Sequence, residues 1–164
     1  MTHVIVAAVV LASLPVPARA IAQTTPDFSG TWTMDAARSV SAVQNEPARS
    51  KSLTIQHGPA ELTIVRTTDG ESFTTRYRAG AAGARVSGIE APFQGIWYLD
   101  GETLVTETAG NVSDKTVRTK EVYALELNGS ELTVETLLVV EHGYSMRGAQ
   151  NHSSGKDVYR RAAR

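Results

Sequence analysis

The sequence predicts an all-β protein that forms a single antiparallel up-and-down β-barrel of about 8–10 strands. Three observations support this fold class: nine strand-like runs, three Asp-Gly or Asn-Gly turns, and no amphipathic helix of any length. Closing such a sheet into a barrel removes the exposed edges that a meander would otherwise present to solvent. An open β-sandwich is the alternative, and 164 residues suffice for one domain with a core of its own.

The first 22 residues have the features of an export signal. Residues 4–14 are apolar, two prolines follow, and residues 18–20 and 20–22 both read Ala-x-Ala, as signal-peptidase sites do. The apolar run is too short for a membrane-spanning helix, and no later run is long enough. We therefore expect residues 1–22 to be a signal peptide, residues 23–164 to be the barrel domain, and the protein to be periplasmic or secreted. A retained anchor is the alternative.

Composition excludes several kinds of site and partner. The chain has no cysteine, which excludes disulfides, thiolate nucleophiles and cysteine-ligated metals. After removal of residues 1–22, which contain only Arg19 among the charged residues, 15 Lys and Arg face 17 Asp and Glu. No basic stripe is present, so nucleic acid is not an expected partner. The spacing of the histidines predicts no metal site, and nothing points to a cofactor or a particular oligomeric state.

The strands alternate in polarity and are separated by turns. Asp69-Gly70, Asp100-Gly101 and Asn128-Gly129 are hairpin signals, because tight turns need positive φ. Between strands, residues 36–50 are expected to form a short helix or lid, residues 79–91 a mobile loop, and residues 141–156 an irregular stretch. The predicted strands are residues 28–35, 53–57, 62–66, 73–78, 93–99, 103–108, 117–127, 132–140 and 157–161.

The first strand carries the most specific pattern in the chain, Asp27-Phe28-Ser29-Gly30-x-Trp32-x-x-Asp35. Gly30 permits close approach of a neighbouring group, and the large ring of Trp32 is suited to closing a core. Gly-x-Trp on the first strand of a small all-β chain resembles the lipocalin-like, or calycin, barrels. The longer string is similar to lipocalin-like proteins of bacterial envelopes.

The calycin resemblance implies a barrel that holds a small apolar or amphipathic molecule. It also implies that a basic residue near the last strand packs across Trp32 as a cation–π contact. Arg160 or Arg161 matches that role, and we take Arg160 as the structural residue together with Gly30 and Trp32. The chain lacks the other lipocalin motifs and the disulfide, so the resemblance is carried no further.

Alternation predicts which side chains point into the barrel. The more apolar parity is taken as inward, and the polar residues on that parity are His57, Arg66, Thr75, Thr106, Thr108, Thr119, Glu121 and Thr136. The apolar residues expected to point inward are Leu53, Ile55, Leu62, Ile64, Phe73, Tyr77, Trp97, Leu99, Leu104, Tyr123, Leu125, Leu132, Val134 and Leu138.

An inward charge in a small barrel needs a partner or solvent. Arg66 can pair with Glu121, meet the carboxylate of a ligand, or lie at a strand end in water. From these residues we predict a ligand site formed by Arg66, Tyr77, Trp97, Glu121 and Tyr123.

Three functions are compatible with these residues. The leading hypothesis is an exported protein that binds a small apolar or amphipathic molecule, because inward aromatic rings beside a few polar groups are typical of ligand pockets. The second is an enzyme on the same barrel that uses His57 or Glu121 for acid–base chemistry. The third is a structural or interaction module without a ligand. Fold alone does not choose among them.

Overall fold

A computed structural model describes residues 25–40, 42, 51–86, 92–112, 115–142 and 151–163 of the chain. The predicted signal peptide lies outside these residues. Nine strands close into one barrel in sequence order, and no helix among the described residues is long and apolar enough to cross a membrane. The strands are β1 (Gly30–Met34), β2 (Lys51–His57), β3 (Glu61–Thr68), β4 (Glu71–Ala79), β5 (Gly95–Asp100), β6 (Thr103–Val112), β7 (Lys115–Glu126), β8 (Glu131–His142) and β9 (Asn151–Arg161).

All three predicted hairpin turns are present. Asp69 and Gly70 both have positive φ (53° and 86°), which is the type I′ geometry that an Asp-Gly pair favours. At the β5–β6 turn only Gly101 has positive φ (61°), and Asp100 itself pairs with Thr103. The β7–β8 connection is longer, because residues 127–130 form a loop between the paired residues Glu126 and Glu131.

One pair of neighbouring strands is parallel, so the prediction of a purely antiparallel up-and-down barrel is wrong in this respect. β4 and β5 run side by side in the same direction, with Tyr77 opposite Gly95 and Ala79 opposite Trp97. The cause is geometric: a closed ring with an odd number of strands cannot alternate direction throughout. The parallel pairing involves only the last residues of β4, because β5 begins beside Tyr77 and continues past Ala79.

The barrel closes where β1 pairs with β9. Trp32, which lies on β1, seals one end of the barrel interior. The indole is fully buried, its Nε1 donates to the Phe28 carbonyl at 3.2 Å, and the Arg161 guanidinium lies 4.1 Å from the ring centroid. Arg161 also donates to the carbonyls of Ser29 (2.7 Å) and Gly129 (2.8 Å). Gly30 has a φ of 140°, and a Cβ there would lie 2.7 Å from Arg161 Nη1.

Arg160 is therefore the wrong choice for the residue over Trp32. Trp32 pairs with Arg161 across β1 and β9, so these two side chains share the inner face, whereas Arg160 points outward. On the outer face, Arg160 forms an ion pair with Asp35 at 3.0 Å. This pair joins the end of β1 to β9 at the barrel surface.

The alternation rule identifies most of the core correctly. Ten of the predicted inward apolar residues are buried: Leu53, Ile55, Leu62, Ile64, Tyr77, Trp97, Leu104, Tyr123, Leu132 and Val134. Phe73 and Leu99 are exposed by 62% and 37%, although their cross-strand partners Arg66 and Leu104 confirm their parity. Both lie next to hairpin turns, where the inner face of the barrel meets solvent. Leu125 and Leu138 are partly buried.

A second apolar cluster lies on the outside of the barrel. Val86 packs there with Ile96, Tyr98 and Val105, and all four are buried. Within the described part of the predicted mobile loop at residues 79–91, Val86 thus covers an apolar outer face, whereas residues 79–85 are exposed. The prediction of an irregular stretch at residues 141–156 is also wrong at its ends, because β8 continues to residue 142 and β9 begins at residue 151.

After β1, the chain pairs with β9 through one antiparallel bridge, between Val40 and Lys156. A short 3-10 turn, Ala36–Arg38, follows β1, and Val40 then exchanges two backbone hydrogen bonds with Lys156 at 2.8 and 2.9 Å. A Cβ at Gly155 would clash with the backbone of Ala42 and lie 2.6 Å from the Val40 carbonyl oxygen. Glycine at 155 therefore allows this segment to lie directly against the barrel wall.

The seal at Trp32 can be tested by truncation. Trp32→Ala should lower the free energy of unfolding by about 3–5 kcal/mol, because it removes a fully buried ring and the surface on which Arg161 lies. Chemical denaturation measures this. The matched control is Thr33→Ala, an exposed neighbour on the outer face, for which a change within about 0.5 kcal/mol is expected. Equal small losses for both variants would contradict the seal.

Candidate ligand-binding site

An ion pair spans the interior of the barrel. Arg66 lies on β3 and Glu121 on β7, four strands apart in a ring of nine, and Arg66 Nη2 lies 2.6 Å from Glu121 Oε2. The same guanidinium nitrogen donates to the Tyr123 hydroxyl at 2.8 Å, and that hydroxyl donates to Glu121 at 2.7 Å. Thr106 on β6 adds a third donor to Glu121 at 3.1 Å. We call these four residues the Arg66–Glu121 bridge.

Burial shapes the protonation of the bridge. Burial alone would lower the pKa of Arg66, but nearby Tyr123, Glu121 and Tyr77 outweigh it and hold that pKa above its usual value. Burial raises the pKa of Tyr123 well above its usual value, although Arg66 opposes the change. The guanidinium therefore stays charged, and the phenol keeps the proton that it donates to Glu121.

A cavity of about 180 Å³ adjoins the bridge and is lined by Arg66, Glu121 and Tyr123. Its other charged lining residues are Lys51 and Asp157, which the sequence analysis did not single out. The signal for them was present in the alternation, because Lys51 shares the parity of Leu53 and Asp157 that of Tyr159. The further lining residues are Val40, Ala42, Leu53, Val134, Thr136, Gly155 and Tyr159.

Asp157 is held in an unfavourable environment. Burial is the largest effect on its carboxyl and raises its pKa, and Glu121 raises it further. Lys51, a hydrogen bond with Tyr159 and the charge of Arg66 act in the opposite direction without cancelling the rise. A carboxylate kept where its charge is disfavoured does not serve stability, so its place in the cavity wall requires another explanation.

Between the cavity and the end of the barrel away from Trp32, the inner face is only partly covered. Thr108, Thr119 and Leu138 are in register across β6, β7 and β8, and this row continues through Gly95 to the inward-facing Tyr77. Cross-strand partners share a face, so all three point into the barrel, and all three are half-buried. We call this part of the interior, lined by Thr108, Thr119 and Leu138, the upper lumen. It presents both hydroxyl groups and apolar surface.

Three of the five predicted ligand residues, Arg66, Glu121 and Tyr123, are joined by hydrogen bonds. Tyr77 lies close to them, because the charges of Arg66 and Glu121 both act on its hydroxyl. Burial raises the pKa of Tyr77, so this hydroxyl is also protonated. Whether these residues contact a ligand stays a prediction.

Trp97 lies next to the bridge, opposite Thr106 across β5 and β6, and His57 packs against its ring. Their rings pack edge to face with centroids 4.9 Å apart, and Phe28 flanks His57 on another side at 5.9 Å. Burial lowers the pKa of His57, against a weaker opposite effect of Asp27. Trp97 Nε1 is the one buried side-chain nitrogen or oxygen without a hydrogen-bond partner among the described residues. No hydrogen bond within the described residues joins His57 to Glu121.

Comparison with known proteins supports the fold. No protein-family model and no curated protein sequence matches the chain. Among solved structures, the wild-type fluorescent protein UnaG is similar, with a TM-score of 0.50 and 18% identity over 82% of this chain and 97% of UnaG. Human cRBP IV gives a TM-score of 0.45 and 14% identity over 84% and 99%, and the REP1-NXSQ fatty acid transporter 0.41 and 10% over 83% and 96%. The similarity to UnaG agrees with the closed β-barrel, and the predicted β-barrel is confirmed as the fold.

Asp157 gives a test of the cavity electrostatics. A raised pKa in the folded state means that stability falls as pH rises through the window above the ordinary Asp pKa, about 3.9. Asp157→Asn should therefore unfold at a higher temperature than the native chain at pH 7, and the difference should shrink as the pH falls below that window.

Glu131→Gln is the control with the opposite sign. Hydrogen bonds from Arg38 at 2.6 and 2.9 Å lower the pKa of Glu131, so this variant should be less stable than the native chain at pH 7. Thermal unfolding between pH 3 and pH 8 separates the two cases. Destabilisation by Asp157→Asn at pH 7 would show that the carboxylate is favourably paired.

Proposed function

We propose that this protein binds a small amphipathic molecule inside the barrel, with its polar head against the Arg66–Glu121 bridge. The observation that carries the proposal is the cavity of about 180 Å³ beside a charged, hydrogen-bonded cluster in the barrel interior. Buried ion pairs are weak contributors to stability, and apolar side chains of similar volume often serve a core better. A ligand site explains both the empty volume and the charges.

The polar groups of the site are placed as in ligand pockets, few in number and converging on one volume. Arg66, Glu121, Tyr123 and Asp157 reach the cavity from three different strands, β3, β7 and β9. Toward the closed end, the interior is filled by rings and aliphatic side chains around Trp32. The head group is therefore enclosed at mid-barrel and the rest of the molecule extends the other way.

Cavity size limits the part of the ligand that lies at the bridge. Pockets for drug-sized molecules measure about 300–1,000 Å³, and an engineered cavity of about 150 Å³ accommodates benzene. The volume at the bridge thus suits a head group or a very small molecule. A longer apolar part would lie along the upper lumen, past Thr119 and Leu138 and toward Phe73, whose ring is exposed on the inner face.

We also propose that the protein works outside the cytoplasm. This rests on residues 1–22 of the sequence, with their short apolar run and Ala-x-Ala sites. N-terminal sequencing of the exported protein tests the proposal, with a start near Gln23 as the expected result. Exported material that begins at Met1 would contradict it.

Lumen binding can be tested with two neighbouring residues on opposite faces of β8. Thr136 lines the cavity, whereas Leu137 is 41% exposed on the outside. Thr136→Trp should weaken binding of the neutral fluorescent probe N-phenyl-1-naphthylamine by about tenfold or more, because the indole occupies the cavity.

Leu137→Trp adds the same ring outside the barrel and should leave binding of the probe unchanged. Fluorescence titration measures both variants, and circular dichroism verifies that each is folded. Equal binding by the native chain and folded Thr136→Trp would contradict a site in the lumen. Failure of the native chain to bind the probe and a panel of aliphatic competitors would contradict the binding function itself.

A further inference from the structure

The cation at the centre of the proposed site already has an anionic partner from the chain. Arg66 Nη2 contacts Glu121 Oε2 at 2.6 Å and the Tyr123 hydroxyl at 2.8 Å, and Tyr123 donates in turn to the same Glu121 oxygen. An entering carboxylate would have to displace Glu121 or lie next to it. Displacement leaves a buried carboxylate alone, which is strongly unfavourable.

The unused bonding capacity of the bridge includes a strong acceptor. All three described hydrogen bonds to Glu121 end on Oε2, from Arg66, Tyr123 and Thr106. Within the described part of the chain, Oε1 accepts none, and it is not among the buried atoms without a partner. Since Glu121 lines the cavity, this oxygen is accessible from it and can accept a hydrogen bond.

The charges around the cavity balance. Arg66 faces Glu121, and Lys51 acts on Asp157, so two cations and two carboxylates line the same volume. A head group of either charge would therefore add a net charge to a small, largely enclosed space without a free counter-ion. An uncharged group that donates a hydrogen bond meets no such obstacle.

We propose that the head group recognised at the bridge is uncharged and donates a hydrogen bond to Glu121, as an alcohol or a primary amide does, and is not a free carboxylate. This inference rests on the proposed binding function. In it, Glu121 occupies the position that a ligand carboxylate would take on Arg66. It departs from the sequence-based alternative in which Arg66 meets an acidic ligand.

Four ligands with one common chain test the inference: 1-decanol, decanamide, decanoate and decylammonium. Each competes with N-phenyl-1-naphthylamine for the native protein at pH 7.5. The alcohol and the amide should displace the probe at concentrations about tenfold or more below those of either ion. Tighter binding of decanoate than of decanol would overturn the inference and leave the binding function standing, whereas no binding of the probe or of any competitor would overturn the function.

Removal of the internal anion should raise the affinity for the acidic ligand. Glu121→Gln leaves Arg66 without its anion, so decanoate should bind about tenfold or more tightly than it does to the native chain. The double variant Arg66→Met/Glu121→Gln should lose that gain. An unchanged affinity for decanoate in folded Glu121→Gln would overturn the inference, and the native-chain comparison decides it if that variant does not fold.

Glu107→Gln is the matched control. Glu107 lies on β6 next to Thr106 but points outward, and it accepts a hydrogen bond from the Tyr98 hydroxyl at 2.7 Å. The substitution removes a carboxylate from a Glu–Tyr pair on the other side of the same wall. It should leave the order and the affinities of all four ligands unchanged, and a gain for decanoate here would overturn the role of Glu121.

Discussion

The pairing of β1 with β9 is the constraint on which the rest of the structure depends. It turns a nine-stranded meander into a barrel, and only then does alternation separate an interior from a surface. The pairing is short, from Trp32 opposite Arg161 to Met34 opposite Tyr159. Arg161 compensates for this, because one side chain covers the Trp32 ring and bonds the carbonyls of Ser29 and Gly129. Glycine at position 30 leaves room for it.

Much of the barrel could be predicted from the sequence, because period-two alternation and Asp-Gly turns act over a few residues. The parallel pair β4–β5 could not be read from any local pattern. It follows from the number of strands, since nine strands in a closed ring force one parallel neighbour. The choice between Arg160 and Arg161 likewise depended on the register of β9 against β1, which neither strand reveals alone.

The candidate site could likewise be predicted from local patterns only in part. Alternation placed Arg66 and Glu121 inside the barrel correctly, but it could not establish that they meet, because β3 and β7 are on opposite sides of the ring. The contact depends on the barrel diameter and on side-chain reach. Alternation could have identified Asp157, which is the first residue of the predicted last strand. In the structure this strand begins six residues earlier, so Asp157 lies inside it. Lys51, whose charge lowers the pKa of Asp157, lies two residues before the predicted start of β2.

The two halves of the barrel interior differ in packing and in charge. Around Trp32 it is filled by aromatic and aliphatic side chains, and the closing arginine holds that end. Beyond the Arg66–Glu121 bridge, the chain keeps an empty volume, and burial raises the pKa of an ionisable carboxyl there. Such features oppose folding, so they persist only where another part of the molecule supplies the stability. The apolar end of the barrel supplies it, so the charged end need not contribute to stability.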